Sequence, residues 1–160
     1  MGQEIHTEII RYGIWEKDLL VGSALVDMYA KYGLLAEAHQ IFEKLPSRDV
    51  ACWNSLISGY ARQGRHAEEA LEAYKRMQMD GISPDEATFI CVLKACGHIG
   101  AIEKGKEIHD EIVLNGYILD ENIMLATALV DMYAKCCMLA KAQNVIEELS
   151  VRNKVIWSAL

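Results

Sequence analysis

The sequence predicts an all-α protein, a right-handed α-solenoid superhelix of antiparallel helical hairpins with a concave face. Three observations lead there. The octapeptide ALVDMYAK occurs twice without change, at Ala24 to Lys31 and at Ala128 to Lys135, an offset of 104 residues. At the same offset Leu35, Ala36, Ala38, Glu43, Leu45, Arg48, Trp53 and Leu56 recur as Leu139, Ala140, Ala142, Glu147, Leu149, Arg152, Trp157 and Leu160, a self-similarity that marks a repeat architecture. Between the copies, apolar residues return at helical spacing in paired stretches separated by short Gly-marked or polar turns. A hairpin of this size cannot bury both of its stripes alone, so neighbours must stack and share one core.

The elements follow in order. In the unit 50–85, Trp53, Leu56, Ile57 and Tyr60 line a first helix, Ala70, Leu71, Tyr74 and Met77 line a second, and Gln63-Gly64-Arg65 turns between them. Gly81 and Pro84 then stop the second helix. The unit 86–122 repeats the plan with Phe89, Val92, Leu93 and Cys96, a turn at Gly97-His98-Ile99-Gly100, then Ile108 and Ile112. The units 19–49 and 123–153 use Leu25, Met28 and Tyr29, then Ala38, Ile41, Phe42 and Leu45, and their counterparts. Partial units, 1–18 and 154–160, flank them, as expected of a segment excised from a longer array. The whole of 1–160 reads as a single array.

Composition agrees. At 52% hydrophobic and 24% charged residues, the chain is too apolar for disorder, and no apolar run reaches the roughly 20 residues that span a bilayer. The opening Met1 to His6 has neither a secretory nor a transit-peptide character. Five cysteines, with Cys136 and Cys137 adjacent, make a poor disulfide framework and read as free thiols in a reducing compartment. The net charge of -7 opposes generic attraction to a phosphate backbone.

Units of this length, with Ala38-x-x-x-Phe42 and Pro46 or Ala70-x-x-x-Tyr74 and Pro84, fit tetratricopeptide repeats as well. Trp53-Asn54-Ser55-Leu56-Ile57-Ser58-Gly59-Tyr60-Ala61-Arg62, Met77 and Gly81-Ile82-Ser83-Pro84-Asp85 resemble a pentatricopeptide repeat. Ala24 to Lys31 and Leu93-Lys94-Ala95-Cys96 resemble its shorter and longer variants. The order long, short, standard resembles the PLS subclass of that family, which acts in plant mitochondria and chloroplasts. One extra residue near His66-Ala67 and a stretched boundary at Asp120-Glu121-Asn122 depart from the pattern and unsettle the frame of the 86–122 unit.

The resemblance implies single-stranded RNA as partner, read one base per repeat by two or three side chains. It implies base selection by a polar residue in the first turn of the first helix together with the last residue of the unit: Ser23 with Asp49, Asn54 with Asp85, Thr127 with Asn153. Guanine and uracil carry an imino N–H that suits a carboxylate, whereas adenine and cytosine carry a bare ring nitrogen that suits an amide donor. With the family's preference of Ser or Thr for purines and Asn for pyrimidines, the footprint becomes G-U-any-A, 5′ to 3′, the third position falling to Ile90, which cannot hydrogen-bond. By the same analogy Leu20, Ala51 and Met124 sandwich bases, and Lys31, Arg62 and Lys135 meet phosphates. A basic stripe on one face can coexist with acidic flanks. The parent would then be an RNA-processing or C-to-U RNA-editing factor working with other such factors, any deaminase-like domain lying outside this segment.

Plainer roles compete for the same residues. Asp49, Asp85 and Asn153 stand where helix N-caps stand, Ser23 and Thr127 suit surface hydroxyls bonded to the preceding turn, and Lys31, Arg62 and Lys135 suit the macrodipole at helix ends. His6, His66 and His109 each open an H-x-E triplet, but no C-x-x-C follows anywhere in the chain to complete a zinc deaminase signature, so all three read as structural residues of second helices. Cys52, Cys91 and Cys96 read as buried thiols, Cys136 and Cys137 as a hairpin turn where the family usually has a glycine second, and Trp15, Trp53 and Trp157 as packing. No catalytic constellation, metal site or cofactor is expected. The alternative function is a protein-interaction scaffold holding a peptide in the concave groove.

Overall fold

A computed structural model describes residues 18–117, 119 and 121–158, with side chains through residue 148. Every regular element among them is helical. In chain order they are α1 (Leu19–Lys31), α2 (Leu35–Lys44), α3 (Val50–Arg62), a 3₁₀ turn (Gly64–His66), α4 (Ala67–Met79), α5 (Glu86–Ile99), α6 (Ile102–Leu114), α7 (Ile123–Lys135) and α8 (Leu139–Ser158).

Local chemistry sets the boundaries. Asp18, Asp49, Asp85 and Asn122 cap α1, α3, α5 and α7, each side chain accepting a backbone N–H of the first turn, which satisfies a donor the helix cannot. At the other ends α1, α4, α5 and α6 stop at a glycine in the left-handed region, Gly33, Gly81, Gly100 and Gly116. The next amide reaches back across the turn, as in Leu34 N to Tyr29 O at 3.0 Å and Ile82 N to Met77 O at 3.1 Å, which is the Schellman arrangement. α2 stops differently: Leu45 is extended with ψ 134°, as a residue before proline must be, and Pro46 breaks the ladder.

Cys137 occupies the place of Gly33 in the second copy and holds φ at +59°, a region that costs an ordinary L-residue roughly 1 kcal/mol. Cys137→Gly is therefore expected to raise stability by about 1 kcal/mol, seen as a higher midpoint in urea. An unchanged or lowered midpoint would contradict the strain.

The helices form hairpins α1/α2, α3/α4, α5/α6 and α7/α8, and the first helix of each hairpin packs on the first helix of the next. The contact between layers is apolar. Val26, Phe42, Trp53, Leu56, Ile57, Tyr74, Met77, Phe89, Val92, Leu93, Ile108, Ile112, Leu125, Leu129, Met132 and Tyr133 are all buried, each contributing roughly 1.5–3 kcal/mol by leaving water if fully covered. The faces anticipated from helical spacing are these faces. Gly59 lets α3 approach α1, since a Cβ there would stand 2.8 Å from the Ala30 methyl.

The second helices have no comparable contact with one another and are linked by long polar side chains. Arg76 of α4 grips both oxygens of Glu43 on α2. Tyr74 of α4 donates to Glu111 of α6 at 2.6 Å, and Gln78 donates to its other oxygen at 2.9 Å. The hydrogen bond from Arg76 holds the Glu43 carboxyl below its usual range, against a smaller opposing effect of burial.

Three expectations need correction. The turn placed at Gly97 to Gly100 is shorter, because α5 continues to Ile99; Gly97 is a packing residue, its virtual Cβ 3.1 Å from the Lys135 side chain and 3.4 Å from the Met132 Cα. His66 lies in the 3₁₀ turn ahead of α4 and not in a second helix. α8 runs unbroken through Asn153 and Lys154, where a unit boundary was expected, because Ser150 stands where the first copy has Pro46. The side chains of Asn153 and Trp157, and all of residues 1–17 including His6 and Trp15, lie outside the described residues.

Candidate nucleic-acid interface

The first helices α1, α3, α5 and α7 start in the same register, so equivalent positions can be followed down the stack. Their fifth residues are Ser23, Asn54, Ile90 and Thr127, and their second residues are Leu20, Ala51, Ala87 and Met124. All four second residues are exposed, Leu20 and Met124 at 80% and 65%, which is open apolar surface spaced one repeat apart. An aromatic base face could stack against it.

At the fifth positions the four units differ. Asn54 and Asp85, 31 residues apart in sequence, meet: the Asn54 Nδ2 donates to Asp85 Oδ1 at 2.9 Å. The same carboxylate oxygen caps α5 by accepting the Thr88 N–H at 2.9 Å. Thr88, fully buried, closes a capping box by accepting the Asp85 N–H at 3.1 Å, and its hydroxyl lies 2.6 Å from Asn54 Oδ1. Burial pushes the Asp85 carboxyl upward, but the hydrogen bonds from Thr88, Asn54 and the Ala87 N–H outweigh it and the carboxyl sits below its ordinary value. Asp85 is thus a carboxylate with accepting capacity remaining on Oδ2.

The other pairs are not assembled in this way. Ser23 Oγ is buried with no nitrogen or oxygen partner, beside the Cys52 thiol. Asp49 is exposed and its Oδ1 accepts the Cys52 N–H at 2.8 Å. Thr127 is exposed and its hydroxyl donates back to the Ile123 carbonyl at 2.7 Å. Ile90 is half-buried. The plainer N-cap roles of Asp49 and Asp85 are both present, and at Asp85 the cap and the contact with Asn54 share one oxygen.

The thirteenth residues are Lys31, Arg62, His98 and Lys135. Lys31 and Lys135 are each ion-paired one turn back, to Asp27 at 2.6 Å and Asp131 at 2.7 Å, so their charge is half-spent within the helix. Arg62 instead reaches the Ser58 hydroxyl at 3.3 Å and meets no carboxylate among the described residues. Lys94, on the next helix, likewise has none, and both cations lie close enough to Cys91 to favour its thiolate, although burial is the larger influence and raises that thiol. Arg62, Lys94 and Ser58 therefore form a local basic patch around the half-buried Cys91. Lys94, His98 and Thr88 were not singled out from sequence; the shared register of the capped helices would have found His98, which stands where Lys31, Arg62 and Lys135 stand.

The histidines have structural partners. His109 Nδ1 is 2.8 Å from the Tyr133 hydroxyl, with burial lowering its pKa, and His66 Nδ1 is 3.0 Å from Glu69. Among the described residues no helix is long and apolar enough to cross a membrane.

Capped first helices in one layer, with their second residues exposed at regular steps, define a stacked helical-repeat architecture. Comparison with known proteins specifies which kind. The PPR repeat family matches residues 23–50 and 48–98. A pentatricopeptide repeat-containing protein of Arabidopsis thaliana is 39% identical over 160 residues, covering 100% of this chain and 23% of its own length. Another, labelled chloroplastic, is 40% identical over 161 residues, covering 99% and 30%. The crystal structure of the pentatricopeptide repeat protein PPR10 from maize superposes with a TM-score of 0.73 over 94% of this chain and 22% of that one, at 22% identity, a likeness of fold. Residues 23–98 thus match the PPR repeat family, and the chain is similar to pentatricopeptide repeat proteins of which it spans under a third of the length.

Proposed function

We propose that the chain binds single-stranded RNA along the layer formed by α1, α3, α5 and α7, one base per repeat. The observation that carries this reading is the Asn54–Asp85 pair, an amide and an ionised carboxylate joined at 2.9 Å and partly exposed at the fifth position of a first helix. An amide N–H and a carboxylate oxygen together complement a uracil edge, where an imino N–H sits beside a carbonyl oxygen. The footprint is G-U-any-A, 5′ to 3′, with Ser23/Asp49 and Thr127/Asn153 at its ends; the uracil position is the one whose side chains are already arranged. Leu20, Ala51 and Met124 separate the bases and the basic residues meet phosphates.

The PLS order of units and the plant relatives, one labelled chloroplastic, support a mitochondrial or chloroplast protein acting in RNA processing or C-to-U editing with other factors. The scaffold alternative has one observation in its favour, the internal neutralisation of Lys31 and Lys135.

The test is an anisotropy titration at low salt with four RNAs that differ only at the second position of G-N-any-A. Uracil is expected to bind best. Asp85→Asn exchanges an acceptor for a donor and should move the preference toward cytosine, changing the uracil-to-cytosine ratio about tenfold, the scale of a hydrogen bond to a charged group. Equal binding of all four RNAs by both proteins would defeat base selection and leave the peptide scaffold.

A further inference from the structure

We infer that Thr88 is a specificity-determining positioning residue: its buried hydroxyl fixes which way the Asn54 amide faces. The inference rests on the RNA reading above. Asp85 Oδ1 already receives two N–H donors, the Thr88 backbone at 2.9 Å and Asn54 Nδ2 at 2.9 Å, which fills its two lone pairs. The Thr88 hydroxyl has one proton, and although Asp85 Oδ1 is within 2.9 Å, the unfilled acceptor is Asn54 Oδ1, 2.6 Å away. That proton therefore goes to Asn54.

The Asn54 carbonyl is thus engaged from the buried side by Thr88, and its NH₂ is turned to Asp85, which can only accept. One Nδ2 hydrogen and the Asp85 Oδ2 remain for a ligand. The side chain offers a donor and withholds its acceptor, and that asymmetry suits the uracil carbonyl oxygen over the cytosine amino group. No other described unit has this device. The residue equivalent to Thr88 is Cys52 at the Ser23/Asp49 pair, where Ser23 Oγ is left with no nitrogen or oxygen partner, and Leu125 at the start of α7.

The experiment compares Thr88→Val and Thr88→Ser in the full 160-residue chain, using the same RNAs with uracil or cytosine at the second position. Valine keeps the shape and removes the hydroxyl, freeing the Asn54 carbonyl to accept from cytosine. The uracil-to-cytosine ratio should narrow about fivefold, the scale of one neutral hydrogen bond, while Thr88→Ser keeps it. A purely structural Thr88 would weaken both RNAs alike and leave the ratio in place, and an unchanged ratio in Thr88→Val, or a loss equally large in Thr88→Ser, overturns the inference alone. Absence of any preference in the unmutated chain overturns the proposed function and the inference with it. Should Thr88→Val not fold, the unmutated chain decides: its Asn54 side-chain amide protons should be separate and slow to exchange by NMR, and a rapidly exchanging, averaged pair overturns the positioning role.

Discussion

Trp53→Ala is expected to destabilise the chain by about 3–5 kcal/mol, the range for deleting a buried aromatic side chain. The indole is 1% exposed, stands edge-on to the Phe42 ring with centroids 4.6 Å apart, and lies under the Arg76 guanidinium at 5.8 Å. Its loss empties the junction of α2, α3 and α4. Because a repeat array is stabilised mainly by neighbour contacts, the damage should be local: hydrogen exchange should show lost protection in α1 to α4 and retained protection in α7. Trp53→Phe should cost less, since it also removes the buried Nε1–H that has no partner, an atom whose desolvation is uncompensated. A loss below about 1 kcal/mol for the alanine variant, or uniform loss of protection, would contradict the account.

Arg62→Gln combined with Lys94→Gln is expected to weaken RNA binding more than any single change of a base-selecting residue, and to do so for every sequence. Neither cation meets a carboxylate among the described residues, so under the proposed reading both charges remain for phosphates. For a single strand each phosphate contact contributes about -0.7 to the slope of log affinity against log salt, and the double substitution should flatten that slope by about 1.4. Lys31→Gln with Lys135→Gln should flatten it less, because each lysine must first leave an aspartate at 2.6 or 2.7 Å. Equal effects of the two pairs would show that the internal ion pairs do not compete with RNA. Titrations at several salt concentrations supply the measurement.

The helices, their buried faces and most turns were legible because a period of 3.6 with capping residues and left-handed glycines is local information. The faces of α3 and α4, from Trp53 to Met77, follow from spacing alone. Legibility ended where a residue's state depends on the neighbouring hairpin. Ser23 and Asn54 hold the same position, yet Ser23 is set against a thiol and Asn54 against a threonine, a difference made by position three of the next unit. Gly97 reads as a turn residue by composition, but the approach of α7 gives it a packing role. The neutralisation of Lys31 and Lys135 was present in the sequence as Asp27 and Asp131 four residues earlier, the spacing at which helix charges pair. The continuation of α8 was likewise present, in Ser150 replacing the helix-breaking proline.

The unequal joining of the two helical layers has a mechanical consequence. Pulling α1 from α3, or α3 from α5, exposes hydrocarbon, whereas separating α2 from α4 or α4 from α6 mainly loosens the Arg76–Glu43 clasp and the Tyr74–Gln78–Glu111 knot, whose groups water can satisfy in their place. The array is therefore stiff along the layer of first helices and compliant along the layer of second helices, which can spread or close at little cost. Repeat-to-repeat spacing along the first helices stays nearly constant while the second helices spread or close, so under the proposed RNA-binding reading successive side chains keep step with the strand.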